Sequence, residues 1–384
     1  MALHYQLTTT TQDDLLRQVR FEEVGTQEQT GARFTHLPAE WHPQGAVMLT
    51  WPHAGTDWAP MLAEVTRCYL HMALEIALRE RLLIVTPERD ELHRLLAERL
   101  PRTALQNISL HQMPTDDTWA RDHGPLTLLT AEGTLLLDFC FNGWGEKFDA
   151  QWDNQISRRL WEEGVLGGGY EDHLDFVLEG GSIENDGRGT LLTTSRCLLA
   201  AHRNQSLSQA DIEKRLLGYF RAQRVLWLSH GYLEGDDTDG HIDTLARFCP
   251  NDTIAYLKCA DPSDPHYDEL QQMEAQLKTF RTFEDEPYRL VPLPMAKPVF
   301  DEEGNRLPAT YANFLILNGA VLMPSYGQPE RDEEAQRQIR LTFPRHEVIA
   351  IDARPLIRQH GSIHCCAMQF PRELRIAEAT SFTA

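Results

Sequence analysis

A thiol, a histidine and several carboxylates stand in four polar islands that interrupt the apolar stretches of this 384-residue chain. The first island is Asp116-Asp117-Thr118-Trp119-Ala120-Arg121-Asp122-His123-Gly124-Pro125. The second, Leu178-Glu179-Gly180-Gly181-Ser182, sets a carboxylate directly after Phe176-Val177. That placement draws Glu179 out of solvent, while the glycines let a ligand approach the backbone. The third runs Gly235-Asp236-Asp237-Thr238-Asp239-Gly240-His241-Ile242-Asp243, and His241 and Asp243 share a side if Ile242 lies in a strand. The fourth is Gly361-Ser362-Ile363-His364-Cys365-Cys366. Taken singly, each has an ordinary reading: a solvated acidic loop, a glycine turn, a buried inert cysteine. The spaced carboxylates of the third also resemble a calcium loop, but its glycine falls at the fourth position instead of the sixth and the closing glutamate is missing.

Jointly the islands point to cleavage of a guanidinium C–N bond. A guanidinium is a planar cation whose N–H groups are matched bidentately by carboxylates. Two acidic side chains can hold its central carbon in line with a thiolate, and the bound cation itself lowers the thiol pKa. The histidine is then free to protonate departing ammonia and afterwards to take a proton from the water that hydrolyses the covalent amidino-thioether.

The elements around the islands alternate. Ala46 to Trp51 reads as a strand, and Met61, Leu62, Val65, Tyr69, Met72, Ala73 and Ile76 recur on one helical face. Arg81 to Val85 is a second strand, and Thr86-Pro87 reads as an N-cap with proline at the first helical position before Glu88 to Leu100. Leu126 to Leu129 and Thr134 to Phe141 flank an Ala-Glu-Gly turn as a hairpin, and Leu191 to Thr194 follows the turn at Asp186 to Gly189. Further helices are expected near Gln209 to Phe220, Asp268 to Thr279 and Glu333 to Thr342. Further strands are expected at Val225 to Leu228, Ile254 to Leu257, Phe314 to Leu317 and Val321 to Met323. The pattern alone gives a mixed α/β class. Residues 1–34 read as a loose polar arm, and 35–384 as one body without an internal linker.

Composition narrows the chemistry further. An apolar content of 42% suits a large globular core, and a net charge of −21 disfavours nucleic acid and anionic membranes while favouring a small cation in any acidic cleft. Met1 to Leu16 lacks the apolar region of a secretory signal, and no run approaches about 18 apolar residues, so a cytoplasmic protein is expected. The seven cysteines are scattered and odd in number, which reads as reduced thiols. Neither paired-cysteine nor H-E-x-x-H zinc spacing occurs, nor a phosphate-binding glycine loop.

In order and spacing, the motifs W-x-R-D-x-G-P, E-G-G-S, G-H-x-D and G-x-I-H-C resemble those of agmatine deiminases and the bacterial, Porphyromonas-type peptidylarginine deiminases. The likeness extends from Pro38-Ala39-Glu40-Trp41 to about residue 371 and takes in Asn313 and Asn318-Gly319. It implies a pentein fold, an α/β-propeller of five ββαβ-type repeats around a pseudo-fivefold axis, with no metal or organic cofactor and a homo-oligomeric assembly. By position it implies Cys365 as nucleophile with Cys366 a bystander, and His241 as acid/base. Asp122 and Asp243 would grip the guanidinium, and Trp119 would cover the substrate. Glu179 would bind near the guanidinium or orient His241, and Asn313 would be a further site residue. The implied reaction converts agmatine and water to N-carbamoylputrescine and ammonia, a step toward putrescine. Ser182 to Asp186, and Ser362 before Ile363-His364-Cys365, depart from the usual pattern. Peptidylarginine or free arginine, and amidino transfer, therefore stay open as alternatives. A cysteine amidase or protease, which would need an oxyanion hole, and a noncatalytic binding protein are the rivals from other classes.

Overall fold

Short strands of three to nine residues, linked by turns and helical crossovers, form five small sheets instead of one large one. The computed structural model describes residues 35–379 together with 381 and 382. The expected polar arm, residues 1–34, lies outside the described residues.

The first sheet holds β1 (Gln44–Thr50), β2 (Arg81–Thr86) and β3 (Ile108–Gln112), mutually parallel. β2 is almost wholly buried, which is why it reads as a continuous apolar run without alternation. Four further sheets follow in chain order: β4 (Leu126–Thr130), β5 (Gly133–Cys140) and β6 (Gly169–Val177); β7 (Ile183–Asn185), β8 (Thr190–Thr194) and β9 (Arg224–Leu228); β10 (Ala246–Cys249), β11 (Thr253–Lys258) and β12 (Arg289–Pro294); and β13 (Leu315–Leu317), β14 (Ala320–Ser325) and β15 (Glu347–Asp352). In each of these four, the first two strands make an antiparallel pair. A helical crossover then delivers the third strand parallel to the second. The first sheet has the same wiring, except that its antiparallel partner comes from the far end of the chain: β16 (Ala367–Pro371) pairs with β1, Met48 opposite Met368.

The crossover helices follow their sequence signals. Leu62–Ala77 buries Val65, Cys68, Tyr69, Met72, Ala73 and Ile76 on one face. Gln209–Phe220 opens with a reciprocal cap, in which Ser208 Oγ accepts from the Asp211 amide and the Asp211 carboxylate accepts from the Ser208 amide. Its buried positions are Ile212, Leu216 and Phe220, one turn apart. All seven cysteines are unpaired and six are buried, as expected of reduced thiols. No helix among the described residues is long and apolar enough to cross a membrane.

Two local expectations are corrected. Thr86-Pro87 does not begin a helix: Thr86 Oγ1 accepts from the Glu88 amide in a small turn, and the helix starts at Arg89. Ile242 is not in a strand. Residues Ile242–Thr244 form a single 3₁₀ turn, closed by the Thr244 hydroxyl donating to the His241 carbonyl.

The sheets are joined at their inner ends by charge. Arg247 of β10 is fully buried. Its Nη1 donates to the carbonyls of Ala312 (3.1 Å) and Phe314 (2.6 Å), its Nη2 to Glu40 (2.6 Å) and its Nε to Glu184. Burial pushes the Glu184 carboxyl up to about 7 against the pull of Arg247. Burial also works against the charge on Glu40, but Arg121, His364 and Arg247 together hold it well below the usual carboxylate range. Removing one member strands its partners as uncompensated buried charges. Arg247→Ala should therefore lose about 3–5 kcal/mol of stability, read as a lowered denaturant midpoint in equilibrium unfolding.

Candidate active site

Each sheet contributes one loop, immediately before its first antiparallel strand, and those loops carry the singled-out residues. Asp122 precedes β4, Glu179 precedes β7, His241 and Asp243 precede β10, Asn313 precedes β13, and Cys365 precedes β16. All six are buried. The structure thus brings together residues spread over some two-thirds of the chain.

Gly181 marks where they converge. A Cβ on this residue would lie 2.6 Å from His241 Nδ1, 2.8 Å from Asp122 Oδ1 and 3.1 Å from Asp243 Oδ2. Only glycine leaves that space open, and its amide also donates to Asp122 Oδ1 at 2.9 Å. The second oxygen of Asp122 accepts from Trp144 Nε1 at 2.9 Å. Trp144 sits in a left-handed stretch, residues 143–146 all having positive φ, braced by Asn142 Oδ1 accepting from the Gly145 amide. A tryptophan in that conformation is strained, and here the strain aims an indole N–H at a buried carboxylate.

The thiol of Cys365 lies 3.4 Å from Asn313 Oδ1 and 3.6 Å from Asp243 Oδ2. The same Asn313 oxygen accepts from the amides of His364 (2.9 Å) and Cys365 (3.3 Å), so Asn313 shapes the turn that presents the sulfur. Burial first, then the charges of Asp243 and Asp122, push the Cys365 thiol well above its ordinary value. His241 Nδ1 is 3.7 Å from Asp122 Oδ1, and neither ring nitrogen has a hydrogen-bond partner among the described residues. Burial disfavours its cation, but Asp122, Cys197 and Glu179 together outweigh this and hold the imidazole well above its usual pKa. Asp122 is itself raised, by burial and by the like charge of Asp243, with His241 opposing.

Glu179 is fully buried, and both of its oxygens accept from Arg203 Nε, at 2.9 and 3.2 Å. Arg203 also reaches Asp239 and the Thr238 carbonyl in the loop that carries His241. Trp119 donates to Asp117 Oδ2 at 3.0 Å and lies flat against Gly361, where a Cβ would meet its ring at 2.2 Å. Trp119, Trp144, Phe148, Asp117, Asp237 and His360 are among the residues around the pocket that leads to Asp122 and Cys365. None of the described residues lining it is an arginine or lysine.

Sequence reasoning did not single out Trp144, Arg203, Glu40 or His364 as site residues. Two of them had a visible signal. The glycines flanking Trp144 mark a positive-φ turn, and His364 stands beside the thiol inside a quoted motif. Donor atoms cluster within 4.8 Å of one another in two places, Glu179–Cys197–His241 and Glu40–Glu184–His364. In both clusters the carboxylates already serve the protein's own arginines.

The sequence model of the Porphyromonas-type peptidyl-arginine deiminases matches residues 36–371. The agmatine deiminase of Stutzerimonas stutzeri is 32% identical over 362 residues, covering 88% of this chain and 95% of its own. A Porphyromonas gingivalis protein provisionally named an arginine deiminase superposes with a TM-score of 0.84 at 49% identity, over 90% of this chain and 100% of that one. The C. jejuni agmatine deiminase, solved with substrate bound as a cysteine-to-serine variant, gives 0.81 at 35% identity, over 88% and 97%.

Two outcomes are expected of this geometry. Gly181→Ala should cut turnover by at least about 10²-fold while the protein still folds, because the methyl displaces His241 and Asp122 from their alignment; steady-state kinetics beside circular dichroism checks this. The acid limb of kcat/KM should lie above the ordinary aspartate range, since Asp122 must be ionised to hold a cation and burial raises the pH at which its proton leaves.

Proposed function

The chain belongs to the Porphyromonas-type peptidyl-arginine deiminase family, and from that membership we propose that it is an agmatine deiminase, hydrolysing agmatine and water to N-carbamoylputrescine and ammonia in the cytoplasm. One observation carries the reading: carboxylates from two different sheets, Asp122 and Asp243, face one thiol and one histidine across the gap left by Gly181. That set matches a planar cation and has no counterpart in cleavage of a neutral amide, which calls for oxyanion donors instead. The pocket outside it carries Asp117 and Asp237, groups that suit a substrate ending in an amine better than one ending in a carboxylate.

Burial and then two carboxylates keep the resting thiol protonated, and those carboxylates are the groups the guanidinium neutralises. Docking of the cation therefore lowers the thiol pKa, and the thiol proton leaves to solvent as the thiolate forms. Sγ bonds to the guanidinium carbon. His241, charged at rest, gives its proton to the departing nitrogen, which leaves as ammonia. A water then attacks the amidino-thioether and yields a proton to His241, the C–S bond breaks, and the ureido product leaves with the thiolate restored. Glu179, engaged by Arg203, serves to orient His241, and Trp119 covers the substrate chain. Asn313 holds the nucleophile's turn. In the same reading the five sheets are the ββαβ repeats of a pentein propeller around a pseudo-fivefold axis, and the working form is a homo-oligomer.

The test is incubation of the protein separately with agmatine, arginine and a blocked arginine peptide, measuring ammonia and ureido product. Agmatine should be consumed, and Cys365→Ala should lower the rate by more than about 10⁴-fold. Turnover of the peptide in preference to agmatine would move the protein to the protein-modifying side of the family.

A further inference from the structure

Directly behind the thiol, the ring of His364 is held at both ends. Nδ1 lies 2.7 Å from Asp243 Oδ2, and Nε2 lies 2.7 Å from Glu40 Oε1. The ring is fully buried. An ionised carboxylate only accepts hydrogen bonds, so an imidazole facing one at each nitrogen donates twice, which only the imidazolium can do. Beyond it the chain of contacts continues. Glu40 Oε1 is 3.1 Å from Arg121 Nη1, and Glu40 Oε2 accepts from Arg247 Nη2 at 2.6 Å and from Gln369 Nε2 at 3.2 Å. At the near end, among the described residues, Asp243 takes no other side-chain donor apart from the thiol, and its Oδ1 has no hydrogen-bond partner. The charged and titratable groups that bear on Asp243 are His364, His241 and Arg247, together with Cys365 and Asp122 across the gap. Only His364 among them donates to it at short range.

We infer that His364 is the positioning residue of Asp243: anchored on Glu40, its imidazolium fixes the plane of that carboxylate and keeps it ionised for a guanidinium. The inference rests on the reading of Asp243 as a cation-gripping group. His364 has a second connection to the chemistry, because its amide and that of Cys365 share the Asn313 oxygen. One short segment thus sets both the sulfur and the carboxylate that must be in register with it. Burial works against the charge on Asp243, and the hydrogen bond and charge of His364 reverse that effect and hold the group below the ordinary carboxylate value. A guanidinium needs a partner with its oxygens already aimed, and a carboxylate free to rotate or to take up a proton would meet it with one weak contact.

The experiment compares His364→Asn, whose amide nitrogen falls near the place of Nδ1, with His364→Gln, whose amide nitrogen falls near Nε2. Two quantities are read: the ratio of thiol alkylation rates with 2-chloroacetamidine, a cation, and iodoacetamide, which is neutral; and the acid limb of kcat/KM for agmatine. The asparagine variant should keep most of the wild-type cation preference. The glutamine variant should lose it by about 10- to 100-fold and move its acid limb to higher pH, as Asp243 loses its donor. Equal effects in both variants, tracking melting temperature and leaving the ratio and the limb in place, would overturn the inference. Should neither variant fold, Glu40→Gln frees the Nε2 end from the other side and should lower the same ratio; an unchanged ratio there also overturns it. A wild-type protein without preference for the cation sinks the reading of Asp243 itself, whereas a preference retained in His364→Gln sinks only the role of His364.

Discussion

The guanidinium of Arg247 is the constraint on which the rest of the architecture hangs. Sheets of three or four short strands need an apolar face covered by a helix or by another sheet to be stable. Arg247 stands in the β10 sheet, takes Glu184 from the β7 sheet, two carbonyls from the lead-in to β13, and Glu40 from the lead-in to β1. Glu40 passes the connection to Arg121, ahead of β4. A charge this deep costs several kcal/mol to desolvate, and the cost is met only because nearly every donor has a partner. Satisfying it brings segments of all five sheets, two of them strands and three of them lead-in loops, to one place. That place adjoins Cys365, since the Arg121 amide donates to its carbonyl.

Around that knot the site is arranged as an unbalanced set of charges. Asp122 and Asp243 face inward with His241 and a thiol, and burial magnifies every term between them. Burial and the carboxylates raise the thiol, and the carboxylates help to raise the histidine, so the resting state has a protonated thiol and a protonated imidazole. Neither group is primed alone. A planar cation between the carboxylates changes both at once, which ties reactivity to the presence of the right kind of guest.

Much of this was legible in the letters. Gln209 to Phe220 is a helix over the expected span, because its cap and its one-turn apolar spacing are both local signals. The hairpin of β4 and β5 was readable from its turn. What escaped reading depends on partners distant in sequence. β6, written Gly-Tyr-Glu-Asp-His-Leu-Asp-Phe-Val, is largely exposed and carries no alternation, so its pairing with β5 sets it as a strand. The 3₁₀ turn at Ile242 hides behind a β-branched residue that favours a strand, and the Thr244 hydroxyl decides the matter. Among site residues, those inside short motifs were visible. Arg203 was not, because it matters only through a carboxylate 24 positions away, and of Trp144 only the glycine turn could be read, its carboxylate partner lying 22 positions away.

Among the described residues, the pairing of β16 with β1 joins the last strand to the first, with the Cys365 thiol only two residues ahead of β16. On the ribosome, therefore, four sheets and most of the substrate-facing carboxylates can be laid down while the thiol is still untranslated or held in the exit tunnel. The first sheet meanwhile presents the open edge of β1, and only the final segment closes it. A chain broken off before Cys365 keeps the edge of β1 open and carries the four other sheets without that thiol.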